Sequence, residues 1–286
     1  MREILDRFSS ETKSLEEGCY ANFLGLVTDS SLFGNSDALV NQVRMDPPIP
    51  DDGVYGSMGE YLSVLEAVES AQLAGRSSFA MVELGAGWGP WVSAAGVVCK
   101  RLGFSKVELV GIEADEDRFN SLKQHFARNG LLESPVFPKF IKGAAWDVDT
   151  IIHFPKTGIG DHGGAGSASG DEYRGLEREM VAVEAFCFES IAAHLDVIDL
   201  THWDIQGAEA RVAESSGEFL DKRVRSVQVG THSREQEARV LKVFHSLGWD
   251  LIRQSPCTFR YDVNIPTLEG MTTNDGELYF RNPRLW

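Results

Sequence analysis

From Phe79 onward, short apolar runs alternate with longer segments whose apolar positions recur every three to four residues. Those two periods belong to strands and to amphipathic helices. Strands are predicted at Phe79–Leu84, Val107–Ile112, Val136–Ile141, Val197–Trp203, Val224–Val229, Trp249–Ile252 and Glu277–Phe280. Between the first two lies a helix over Pro90–Leu102, with proline in its opening turn and Gly103 at its stop. A second helix starts near Asp115, carries Phe119, Leu122 and Phe126 on one face, and stops at Asn129-Gly130. Further helices fit Ala208–Leu220 and Ser233–Leu247, the latter opening on a capping-box pattern of Ser233 with Gln236 three residues on. Strands alternating with helices predict an α/β, Rossmann-like doubly wound parallel sheet with right-handed crossovers.

Residues 1–75 follow a different pattern. Tyr61, Leu62, Val64, Leu65 and Val68 have helical spacing, and Pro47-Pro48-Ile49-Pro50-Asp51-Asp52-Gly53 reads as a linker or turn. The expected organisation is an N-terminal helical extension, 1–75, packed on a main domain, 76–286. Within the latter, the glycine-rich segment 158–170 reads as a surface loop or as a lid over bound substrate. No Gly-Lys-Ser/Thr follows it, so it is not a phosphate loop.

Composition narrows the partners. The 286 residues carry a net charge of −16, which opposes binding to phosphate backbones and anionic lipid, so neither nucleic acid nor membrane is the expected partner. Cys19, Cys99, Cys187 and Cys257 are scattered, without a metal-knuckle or disulfide pattern. The opening residues lack the apolar core of a secretory signal. Together these features predict a cytoplasmic protein. Oligomerisation is left open.

The sharpest chemical signal is Val82-Glu83-Leu84-Gly85-Ala86-Gly87-Trp88-Gly89, an apolar strand turning through three alternating glycines into a helix. Such a turn lets a ligand approach the backbone at the carboxyl end of the first strand. A dinucleotide fingerprint would need glycine where Pro90 stands, and Glu83 would repel a pyrophosphate. S-adenosylmethionine brings an ammonium and a sulfonium, both favoured beside a carboxylate. Glu113, at the end of the second strand, is placed to accept the two hydroxyls of a ribose. The expected cofactor contacts are therefore Glu83, Gly85, Gly87, Trp88, Gly89 and Glu113, with Ala144 and Ala145 after the third strand beside an adenine.

Beyond these residues, the sequence resembles the FkbM family of S-adenosylmethionine-dependent methyltransferases. The resemblance covers roughly residues 79–286. It rests on the glycine motif, on Val197-Ile198-Asp199-Leu200-Thr201-His202-Trp203-Asp204-Ile205-Gln206-Gly207-Ala208-Glu209, on Val229-Gly230-Thr231-His232-Ser233-Arg234-Glu235, and on the tail Asp275–Pro283. Gln206 departs from the commoner glutamate. The resemblance implies a seven-stranded sheet with the last strand antiparallel, and O-methylation of sugar or polyketide-type hydroxyls. In that architecture Asp204 and His232 end neighbouring strands. Asp204 could orient the substrate, hold the histidine or contact the cofactor, and His232 could take the acceptor proton. His202 reads as a buried, hydrogen-bonded histidine. His202, Asp204, Glu209 and His232 could instead converge on a divalent metal, but no compact ligand motif accompanies them, so no metal is expected. The alternative to an enzyme is a non-catalytic S-adenosylmethionine-binding sensor or partner subunit.

Overall fold

The structure is a computed structural model describing residues 2–10, 15–33, 36–156, 167 and 179–286. Apart from Ser167, the glycine-rich segment 158–170 lies outside the described residues.

The chain opens with α1 (Arg2–Phe8), the antiparallel pair β1 (Cys19–Ala21) and β2 (Val27–Asp29), a short 3-10 turn, α2 (Ser36–Leu39) and α3 (Met58–Leu73). The first 75 residues thus hold a hairpin as well as helices. That hairpin is fixed from afar: Asn129 accepts from the Val27 amide at 2.9 Å and donates to its carbonyl at 2.8 Å. No local pattern carries such a partner. α3 starts on a reciprocal capping box between Ser57 and Glu60.

Strand and helix then alternate through β3 (Ser78–Leu84), α4 (Pro90–Arg101), β4 (Lys106–Glu113), α5 (Glu116–Arg128) and β5 (Val136–Lys142). Next come β6 (Ala144–Trp146), β7 (Thr150–Pro155) and β8 (Met180–Cys187), a separate sheet in the order β6-β8-β7 that the sequence pattern missed. The chain continues through α6 (Phe188–Ala192), β9 (Leu200–Trp203), α7 (Glu209–Arg223), β10 (Ser226–Thr231), α8 (Arg234–Ser246) and β11 (Asp250–Ser255). It ends in β12 (Thr258–Phe259), α9 (Leu268–Met271), β13 (Thr272–Asn274) and β14 (Gly276–Arg281).

The main sheet has seven strands in the order β11-β14-β10-β9-β3-β4-β5. β14, last in sequence, runs antiparallel to both neighbours, while β10, β9, β3, β4 and β5 are parallel. The expected doubly wound sheet with an antiparallel final strand is present. Alternation along β3 sorts its side chains to two cores: Phe79 and Met81 pack with α1, α3 and α4, whereas Ala80, Val82 and Leu84 pack with α6, α7 and α8. The N-terminal Ile4, Leu5 and Phe8 belong to the first of these cores.

One local expectation needs correction. Ser233 accepts from the Gln236 amide, but the Gln236 side chain turns away to accept from the Ala210 amide at 3.1 Å, so the predicted box is only half formed. Joining α8 to α7 takes precedence over closing the cap. Among the described residues, no helix is long and apolar enough to cross a membrane.

Candidate functional site

The chain builds outward from β3 to β5 and then crosses back to β9 on the other side of β3. The sheet therefore has a switch point between β3 and β9, where open α/β sheets leave a crevice at the strands' carboxyl ends. A cavity of about 380 Å³ occupies this place.

The glycine turn forms its floor. Gly85, Gly87 and Gly89 have φ of +70°, +56° and +76°. A Cβ on Gly85 would run into the Asp204 carbonyl oxygen, and one on Gly89 into Leu122. These two glycines serve the protein's own packing. Only at Gly87 is the space within 4 Å open.

Two buried carboxylates brace the turn. Glu83 accepts from the Val92 amide at 2.9 Å and the Trp91 amide at 3.4 Å, using the free donors of the first turn of α4. Burial pushes its pKa up to about 7, against the pull of nearby His202 and those two amides. Glu113 accepts from the Gly87 amide at 2.7 Å and the Asp115 amide at 2.8 Å, and burial raises it too. Both line the cavity, together with Gly85, Gly87, Trp88, Ala144, Ala145 and Asp204. Gly89, the N-cap of α4, lies behind this wall.

The N-terminal segment supplies the facing wall through Phe33, Leu39, Val54, Tyr55 and Glu60. Trp88 packs edge-on against Phe33, Tyr55 and His125, with ring centroids 5.6, 5.1 and 5.0 Å apart. That wall carried no readable signal beyond its helical spacing.

Asp204 and His232 do come together. Asp204 follows β9, its amide bonded to the Leu84 carbonyl, and its half-exposed carboxylate lies 3.1 Å from His232 Nε2. His232 Nδ1 is 2.7 Å from Oε1 of Glu209, which is fully buried. The Gln206 side-chain amide donates to Asp204 Oδ1 at 2.8 Å and lies 2.7 Å from His232 Nε2, from a backbone with φ of +52°. Burial disfavours the imidazolium, but Glu209 and Asp204 together outweigh it and hold the His232 pKa well above 6.5. Desolvation by the surrounding walls likewise opposes ionisation of Asp204, although its carboxylate is half open to the cavity, and the His232 contact overcomes it, holding the pKa at about 2. His232 itself does not line the cavity. The roles of Glu209 and Gln206 as its partners went unread, although both stand in the motif that carries Asp204.

His202 is buried as expected, yet it reaches the cavity wall. Its Nε2 lies 3.1 Å from Glu60 Oε1, and its ring packs 5.5 Å from that of Trp91. Nδ1 has no hydrogen-bond partner among the described residues. Among those residues, no group of three or more His, Cys, Asp or Glu is placed to hold a metal ion.

No family model matches the chain. Over 283 residues, covering 97% of both chains, it is 27% identical to a Jannaschia sp. (strain CCS1) protein named "Putative methyltransferase". That similarity runs over nearly the whole of this chain. Similar solved structures include the methyltransferase FkbM from Methylobacillus flagellatus KT, at 13% identity and a TM-score of 0.44. That match covers 71% of this chain but only 44% of the FkbM chain. Precorrin-6y C5,15-methyltransferase from Geobacter metallireducens GS-15 matches at 8% identity and a TM-score of 0.43, over 78% and 86% of the two chains. The N-terminal domain of human METTL16 in complex with SAH matches at 11% and 0.38, over 77% and 70%.

Proposed function

We propose that the chain is an S-adenosylmethionine-dependent methyltransferase acting on a hydroxyl of a small molecule, of sugar or polyketide type. The observation that carries this reading is the charge of the cavity. Among the described residues, its lining holds the carboxylates of Glu60, Glu83, Glu113 and Asp204 against the single guanidinium of Arg118. Such a wall favours a ligand with a sulfonium and an ammonium and disfavours a pyrophosphate. Glu113 keeps lone pairs for a ribose, Ala144 and Ala145 offer an apolar face to an adenine, and Gly87 leaves room beside the turn. Bound S-adenosylmethionine would supply an electrophilic methyl group. The protein's part is to hold the acceptor oxygen in line with that methyl. Asp204 is the cavity-facing group for this task, kept ionised and immobile by His232, Gln206 and, behind them, Glu209. His232 acts from the second row as a positioning residue.

Calorimetric titration with S-adenosylmethionine, S-adenosylhomocysteine and NAD tests the cofactor. The first two are expected to bind and NAD is not. Glu113→Ala should weaken both by about 10- to 100-fold, the loss expected of hydrogen bonds to a charged group. Tight NAD binding instead would move the chain to the dehydrogenases.

Glu83 adds a pH signature. Its pKa of about 7 means that near neutrality it is partly protonated, and a bound cation favours the ionised form. S-adenosylmethionine affinity is therefore expected to rise as pH passes upward through about 7, with proton release on binding. S-adenosylhomocysteine, lacking the sulfonium, should show a weaker dependence. Calorimetry in two buffers of different ionisation heat reads both quantities, and identical flat profiles for the two ligands would refute this role of Glu83.

A further inference from the structure

Transfer to a hydroxyl needs a group that takes the proton, and neither residue of the Asp204–His232 pair is free to do so. Asp204 is held strongly acidic, at about 2. His232 has Nδ1 on Glu209 and Nε2 between Asp204 and Gln206, and it stands behind the cavity wall. The other titratable groups of the lining are also engaged. Both oxygens of Glu83 hold α4 amides, and both oxygens of Glu113 hold amides of their own loops. The Tyr55 hydroxyl is paired with Thr28. Glu60 gives one oxygen to the Ser57 amide and the other to His202.

Unlike these carboxylates and the Tyr55 hydroxyl, His202 keeps one nitrogen, Nδ1, without a hydrogen-bond partner among the described residues. A buried polar atom left open beside a cavity calls for a ligand or water partner. The Glu60 carboxylate accepts a hydrogen bond from Nε2, which fixes the neutral ring as the Nε2–H tautomer and leaves a lone pair on Nδ1. We propose that His202, oriented by Glu60, is the base that receives the acceptor's proton at Nδ1. The proposal rests on the methyltransferase reading above. In the step, the acceptor O–H bond breaks and its proton passes to Nδ1. The oxygen bonds the methyl carbon, and the C–S pair returns to sulfur as a neutral thioether. The resulting imidazolium is stabilised by Glu60. Facing the ring are Glu60 from α3, Glu83 from β3, Asp204 after β9 and Glu277 from β14. Burial lowers the ring's proton affinity, but the Glu60 hydrogen bond and these charges raise it above the ordinary value.

Histidine side-chain nitrogen NMR on the full chain, with S-adenosylhomocysteine added and signals assigned through His202→Gln and His232→Asn, tests the assignment. His202 is expected to be Nε2-protonated with a bare Nδ1 at high pH and to take up its second proton at a pH above that of an ordinary imidazole. In Glu60→Gln the amide still serves the Ser57 cap, but proton affinity at His202 should fall at least about tenfold. With methyl-labelled S-adenosylmethionine and a panel of simple sugars and phenols, His202→Gln should lower turnover at least about 100-fold at pH 7, with S-adenosylhomocysteine affinity within about threefold. A His202 carrying its proton on Nδ1, or doubly protonated at every pH at which the chain stays folded, overturns the proposal, as does undiminished turnover in His202→Gln. Failure of wild-type protein to bind S-adenosylhomocysteine would instead overturn the cofactor reading, and the proposal with it.

Discussion

Gly85→Ala is expected to lose about 3–5 kcal/mol of stability and measurable cofactor binding together. At φ of +70° an alanine is strained by about 1–2 kcal/mol, and its Cβ meets backbone, the Asp204 carbonyl, that cannot swing aside as a side chain would. Relief requires the β3 turn and the end of β9 to separate, which displaces Asp204 from the cavity wall. Gly87→Ala is the matched control. It carries a similar backbone penalty at φ of +56° but meets no atom within 4 Å, so about 1–2 kcal/mol is expected. Urea unfolding of the two variants reads the difference directly. Equal midpoints would mean that the close approach at Gly85 is relieved at no cost.

The second large effect is expected from His232→Ala. Glu209 is wholly buried, and its carboxylate would lose the imidazole 2.7 Å away. Breaking one side of a buried charged pair costs about 3–5 kcal/mol, because the remaining charge has no water to turn to. The pH dependence has two limbs of known sign. His232 is raised above its ordinary 6.5, so its contribution is complete below that value and fades as pH rises through the folded pKa. Asp204 is depressed below its ordinary 3.8, so its contribution is present above that value and disappears as pH falls through about 2. The stability gap between wild type and variant should therefore be widest from about pH 4 to 6.5 and narrow on the alkaline side. A gap independent of pH would show that the loss is packing rather than charge.

Much of the main sheet was legible because its signals are local. β3, α4, β4, α5 and β5 appear within about two residues of the positions the apolar periods predict. Asp115 caps α5, and Pro90 opens α4, as such residues do anywhere. What escaped depends on distant partners. The β1–β2 hairpin is tied by Asn129, and β6 pairs with a strand some forty positions later. Neither relation leaves a period in the sequence. The site divides the same way. Glu83, Glu113, Asp204 and His232 stand at strand ends and could be singled out from pattern and motif. Glu60 could not, because its cap to Ser57 is a sufficient local reason for it and its second role depends on where α3 lies against β9. All three glycines of the turn take left-handed backbone, and the close neighbours of two of them, Asp204 and Leu122, come from distant elements that no local pattern reveals.

The antiparallel strand β14 also sets an order of assembly. Among the described residues, β11 meets the main sheet only through β14, and one edge of β10 is covered by β14 alone. During synthesis, both strands wait with open edges until Gly276–Arg281 leaves the ribosome, a template for mispairing between nascent chains. A chain cut before Gly276 would thus lose more than its final strand. It would release β11, bare the edge of β10, and remove the Glu277 charge that faces His202.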